Sequence, residues 1–148
     1  MTRHVLTTIP LPPALRDGIA RHYHLHESAS DFGDGASADV EAVVTNGSIG
    51  LSAAQMDRLP RLRVICSMGA GTENIDIAGA HARGIVVTNA PGANAATVAD
   101  HAIGLALAVA RGLRALGNRL ARGEAWTSLR APRPSLNKSR VGVIGLGQ

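Results

Sequence analysis

The chain has 148 residues, of which 45% are hydrophobic, 18% charged and 2% aromatic, which suits one core built from Ala, Val, Leu and Ile. No uninterrupted apolar run approaches the ~18 residues of a membrane span, the start lacks a signal-peptide pattern, and a single cysteine excludes an internal disulfide framework, so a soluble cytoplasmic protein is expected, with no membrane partner. The formal charge of +4 raises nucleic acid as a partner, but the basic residues gather between Arg111 and Arg140 around one aromatic, Trp126, without a stacking series or reading motif, so none is expected.

Val5-Leu6 opens a first short strand, and Pro12-Pro13 starts a helix over Ala14 to Arg21, with proline where a first turn tolerates it. Tyr23 to His26 alternates like a second strand. His22, His24 and His26 fall on one side of it, but no carboxylate or cysteine completes a metal site, so a solvated strand edge is expected. Asp31 to Ala38 reads as a loop. Val40 to Thr45 is β-branched, a strand that closes at Asn46-Gly47. Ser52 to Gln55 is a capping box, opening a helix that stops by Pro60.

Leu62 to Cys66 is the next strand and delivers a first glycine loop, Ser67 to Gly71. Asp76 to Arg83 is helical, with Gly84 as its stop, and Ile85 to Thr88 is a strand delivering a second loop, Asn89 to Asn94. Strand starts alternating with helices predict an α/β fold with a parallel sheet, and ligands of such sheets lie outside the carboxyl ends of the strands. Both glycine loops fall there.

Thr97 to Asp100 reads as another capping box, opening the longest helix. From Val98 to Ala110 it is apolar nearly all round, which predicts burial, and beyond Arg111 an amphipathic continuation runs to about Arg122. Asp100 and His101 are adjacent, but neighbours on a helix point apart, so no catalytic dyad is expected. A loop spans Thr127 to Lys138. The chain closes on a predicted strand, Arg140 to Ile144, followed by Gly145-x-Gly147. The rest of a dinucleotide fingerprint (a third glycine, a helix and an acidic residue about 20 positions on) does not follow.

Together, GAGTENID at Gly69 to Asp76, RGIVVTNAPG at Arg83 to Gly92, NAATVADHAIGLALAVAR at Asn94 to Arg111, Trp126, and VGVIGLG at Val141 to Gly147 resemble the D-isomer-specific 2-hydroxyacid dehydrogenase family. The resemblance implies a flavodoxin-like substrate domain over 1–106 and the start of a Rossmann cofactor domain over 107–148, cut at the glycine motif. It implies hydride transfer between NAD or NADP and a small 2-oxo or 2-hydroxy acid of the glyoxylate or hydroxypyruvate type, in a homodimer. The family's catalytic arginine, glutamate and histidine lie beyond the glycine motif, so no residue here is assigned a catalytic role, and the chain reads as an inactive N-terminal piece. A non-catalytic NAD(H)-sensing module of the same fold is the alternative.

The same resemblance places the substrate carboxylate on the backbone amides of Ala70 and Gly71. Asn46 matches a substrate-facing loop, or is a plain turn residue. Asn94 matches a position where some members use an amide on the substrate, or caps the helix. Val98 matches a residue beside the nicotinamide, and Gly145 and Gly147 would begin the pyrophosphate loop; Thr97 reads as a cap rather than a cofactor contact. No residue is assigned to a metal. Glu73 stands where the family more usually has aspartate.

Overall fold

The computed structural model describes residues 3–27 and 38–145. The predicted loop at Asp31 to Ala38 lies outside these except for Ala38, and Gly147 lies outside them too. The chain divides into two compact units, Met1–Ala93 and Asn94–Gln148. The helix that the resemblance divides at 106 belongs entirely to the second.

The first unit is an α/β layer. Its strands are β1 (His4–Thr7), β2 (His24–Glu27), β3 (Val40–Thr45), β4 (Val64–Ser67) and β5 (Val86–Thr88), interleaved with helices α1 (Pro13–Ala20), α2 (Ala53–Asp57) and α3 (Ile77–Ala82). They form one sheet in the order β2-β1-β3-β4-β5, every neighbouring pair parallel. This is the flavodoxin-like order, with its topological switch between β1 and β3.

The local signals act as their chemistry predicts. The Ser52 hydroxyl accepts from the Gln55 amide while the Gln55 side chain takes the Ser52 N–H, so the box closes α2 at both donors. Asp76 caps α3 through the Gly79 amide at 2.8 Å. The core is aliphatic: Val40, Val43, Leu51 and Ile65 are fully enclosed, with Met56 from α2 and Ala80 from α3 packed among them. A buried hydroxyl relay ties β1 to β3 at the switch, where Thr8 Oγ1 donates to Thr45 Oγ1 at 2.8 Å and Thr45 Oγ1 donates to the Gly50 carbonyl at 3.0 Å.

Of the β2 histidines, His24 is exposed, as a solvated edge predicts, while His26 is half-buried and has a partner from another strand. β2 is the edge strand, and His4 of β1 pairs with His24 in register. His4 Nδ1 lies 3.0 Å from His26 Nε2, and the His24 ring centroid is 4.6 Å from that of His26. His22 stays outside β2, in the preceding turn. Burial, then the neighbouring His24 and His4, hold the His26 pKa below its ordinary 6.5. The folded chain therefore binds fewer protons than the unfolded one as pH falls through that value, and stability drops with it. Melting temperature should be flat above about pH 7 and fall towards pH 5. His26→Gln should flatten that slope in thermal melts taken across the range.

The second unit departs furthest from expectation. α4 runs Ala95–Arg111, beginning at Asn94, so Thr97 lies inside it and caps nothing. Its apolar residues are exposed, not buried: Ile103 is 61% and Val109 81% accessible. An all-round apolar pattern reports what a helix would bury, whereas burial needs a neighbour along its length. The helix breaks at Gly112 (φ 64°), and α5 (Leu113–Ala121) leaves at 58° rather than continuing it. No single helix among the described residues is long and apolar enough to cross a membrane. A 3-10 turn follows at Trp126–Leu129, where the Arg130 guanidinium lies 4.9 Å from the Trp126 ring centroid. The predicted strand over Arg140 to Ile144 is not formed. Those residues are exposed and without regular structure, and a β-rich run makes a strand only when another strand accepts its hydrogen bonds.

Candidate functional site: an open row of backbone amides

Three loops leave the carboxyl ends of β3, β4 and β5, and the chain ties them to one another. The Met68 amide donates to the Thr45 carbonyl at 2.7 Å, and the Asn74 amide donates to the Gly47 carbonyl at 3.1 Å. Asn74 Nδ2 adds a bond to the Ser48 carbonyl at 2.7 Å. From the other side the Ala90 amide donates to the Gly69 carbonyl at 2.9 Å, and Asn89 Nδ2 donates to the Ala70 carbonyl at 2.7 Å. Ser67 Oγ donates to the Gly71 carbonyl at 2.6 Å, and the Ile75 amide to the Thr72 carbonyl at 3.0 Å.

Every carbonyl from Gly69 to Thr72 thus accepts from a donor, while no acceptor among the described residues takes the N–H of Gly69, Ala70, Gly71, Thr72 or Glu73. Five consecutive donors stand between two bonded ones, Met68 and Asn74. A backbone row of this kind, at the carboxyl edge of a parallel sheet, suits an anion. The surrounding loops, 46–52, 67–76 and 89–93, contain no lysine, arginine or histidine. What this edge offers is hydrogen-bond donors rather than a cationic side chain.

Ala70 and Gly71 lie in the centre of this row. Asn46 sits beside it on the β3 loop, where its Oδ1 accepts from the Ile49 amide at 2.8 Å, so one end of its amide is used in the turn. Ser67 and Asn89 were not singled out from the sequence. Their work is to hold carbonyls, and that depends on which loop lies beside which. Asn94 and Val98 belong to the second unit: Asn94 precedes α4 without a side-chain cap bond, so its amide is not spent there, and Val98 is 56% exposed. Gly145 has φ 81° with open space where a Cβ would stand. Without a strand ahead of it, the described residues do not form the strand–turn–helix that seats a pyrophosphate.

Residues 12–139 match the model of the D-isomer specific 2-hydroxyacid dehydrogenase catalytic domain. The chain belongs to that family. Among its relatives, the 2-ketogluconate reductase of Gluconobacter oxydans is 32% identical over 97% of this chain and 46% of its own length. A D-3-phosphoglycerate dehydrogenase of Archaeoglobus fulgidus is 38% identical over 73% of this chain and 20% of its own. In structure, the NADPH-dependent glyoxylate/hydroxypyruvate reductase of Sinorhizobium meliloti, solved with NADP and malonate, matches with a TM-score of 0.85 at 28% identity, over 99% of this chain and 47% of that one. The chain thus spans about half, or less, of the length of these family members.

The loop bonds give a direct prediction. Asn89→Ala should cost about 1 kcal/mol of stability and loosen the amide row. Thermal melts would show the first effect and weaker binding of small carboxylates the second, while unchanged carboxylate affinity would show that Asn89 does not organise the row.

Proposed function

We propose that the first unit is the carboxylate-holding wall of a 2-hydroxyacid dehydrogenase that interconverts small 2-oxo and 2-hydroxy acids with NAD or NADP. The observation that carries this reading is the row of unspent amides from Gly69 to Glu73 on a loop whose carbonyls from Gly69 to Thr72 are all held. Backbone donors fixed before the ligand arrives bind a carboxylate without the entropy of ordering a side chain. The bound nicotinamide would supply hydride, and this chain's residues would orient the acid. Asn46 would add a donor from the β3 loop, and Asn94 an amide from the start of α4. Val98, Gly145 and Gly147 would face the cofactor, a role supported by family membership and by the relative solved with NADP.

The three loops of the wall carry no histidine to serve as a general acid, so these 148 residues alone should bind 2-oxo acids without reducing them. The test is a titration of the ¹⁵N-labelled chain with glyoxylate and, separately, with its methyl ester. Glyoxylate should shift the amides of residues 69–73 and the ester should not. Equal shifts from both would overturn the carboxylate assignment, and NADH or NADPH oxidation by the chain with glyoxylate would overturn its inactivity. We also propose a cytoplasmic homodimer joined through α4 and the arm after it, in keeping with the exposed apolar surface of α4. A monomer in sedimentation at micromolar concentration would overturn that.

A further inference from the structure

The Glu73 carboxylate lies against two glycines of the wall at once. A Cβ on Gly71 would stand 2.8 Å from Glu73 Oε1, and one on Gly47 would run into Oε2 of the same side chain. Gly71 is the middle residue of the open amide row, and Gly47 follows Asn46. Glu73 is exposed, and among the described residues it takes part in no ion pair or side-chain hydrogen bond. The wall therefore combines five neutral donors with the Glu73 charge, a second carboxylate at Asp76 that is spent on the α3 cap, and no positive side chain in its loops.

We infer that Glu73 makes this site selective for singly charged 2-oxo acids over those carrying a second carboxylate or a phosphate-like group. The inference rests on the carboxylate-binding reading above. One carboxylate gains the amide donors, which offset the Glu73 charge. A second anionic group on the same small molecule finds no donor row and no cation on this wall, and meets Glu73 within several ångströms. At that separation like charges near a protein surface repel by an amount that matters to weak binding, and salt screens it.

Three ligands on one scaffold test this: pyruvate, oxaloacetate and 3-phosphonopyruvate, titrated at low salt into the ¹⁵N-labelled chain and its variants. In the unsubstituted chain pyruvate should bind about five-fold or more tighter than either dianion. Glu73→Gln keeps the shape of the side chain over Gly47 and Gly71 and should bring the three affinities within about two-fold of one another, and Glu73→Lys should favour the dianions. The amide spectrum reports in the same experiment that each variant is folded. Dianions binding as tightly as pyruvate to the unsubstituted chain, or a preference that Glu73→Gln leaves intact, would overturn the inference while leaving the carboxylate site standing. Failure of all three ligands to shift residues 69–73 in any variant would overturn both.

Discussion

Gly50→Ala should destabilise the first unit by about 2–5 kcal/mol, a large part of the 5–15 kcal/mol that holds a typical domain together. Gly50 is buried with φ 71°, a backbone region that costs a residue with a Cβ roughly 1–2 kcal/mol. Space is the larger difficulty. The added carbon would stand 2.6 Å from Asn74 Cβ and overlap the Asn74 carbonyl. That carbonyl is not free to retreat, because it accepts from the Leu51 amide at 3.1 Å beside the bridge between Leu51 and Ile75. Gly69 separates the two contributions: its φ is 105°, but nothing lies within 4 Å of its missing Cβ. Gly69→Ala should therefore show strain alone. Urea midpoints measured for both variants should place Gly50→Ala well below Gly69→Ala, and equal losses would refute the overlap.

Ile65→Ala should cost a comparable 2–5 kcal/mol by a different route. Ile65 is completely enclosed on β4, between Val43 on β3 and Val87 on β5 in register. Truncation removes buried methyl and methylene groups and leaves a void that a parallel sheet with fixed register closes only in part. Val86 on the edge strand β5 is 57% exposed, so Val86→Ala should cost less than about 1 kcal/mol. Chemical denaturation of the pair would measure the difference, and similar costs would mean that the sheet centre is not where stability is concentrated.

Local chemistry made the first unit legible. The β-branched run from Val40 to Thr45 is β3 with the same bounds, the Ser52 box opens α2, and Gly84 follows the last turn of α3 with φ 69°. In each case a short stretch carries all the information its element needs. The second unit was harder to read because its outcomes depend on neighbours. The apolar wrap of α4 looked like a core helix and is exposed; Thr97 looked like a cap and lies within the helix; Val141 to Ile144 looked like a strand and pairs with nothing among the described residues. The histidine cluster shows the same limit, since alternation pointed to His22 whereas sheet order brought in His4.

The candidate site divides along the same line. Glycine spacing after two strands located the loop, and family resemblance named Ala70 and Gly71. That the donors are unspent depends on Asn89 and Ala90, about 20 positions away, occupying the carbonyl side. The reach of Glu73 across to Gly47 depends on β3 and β4 being adjacent.

The amide row also bears on how this loop would look to hydrogen exchange. Protection of a backbone N–H requires an acceptor, and residues 69–73 have none among the described residues although the carbonyls of residues 69–72 are tied down. In deuterated solvent these five positions should exchange early, between the slower Met68 and Asn74. Rapid labelling there would record missing acceptors and not a moving chain, and a bound carboxylate should slow it without any change of fold.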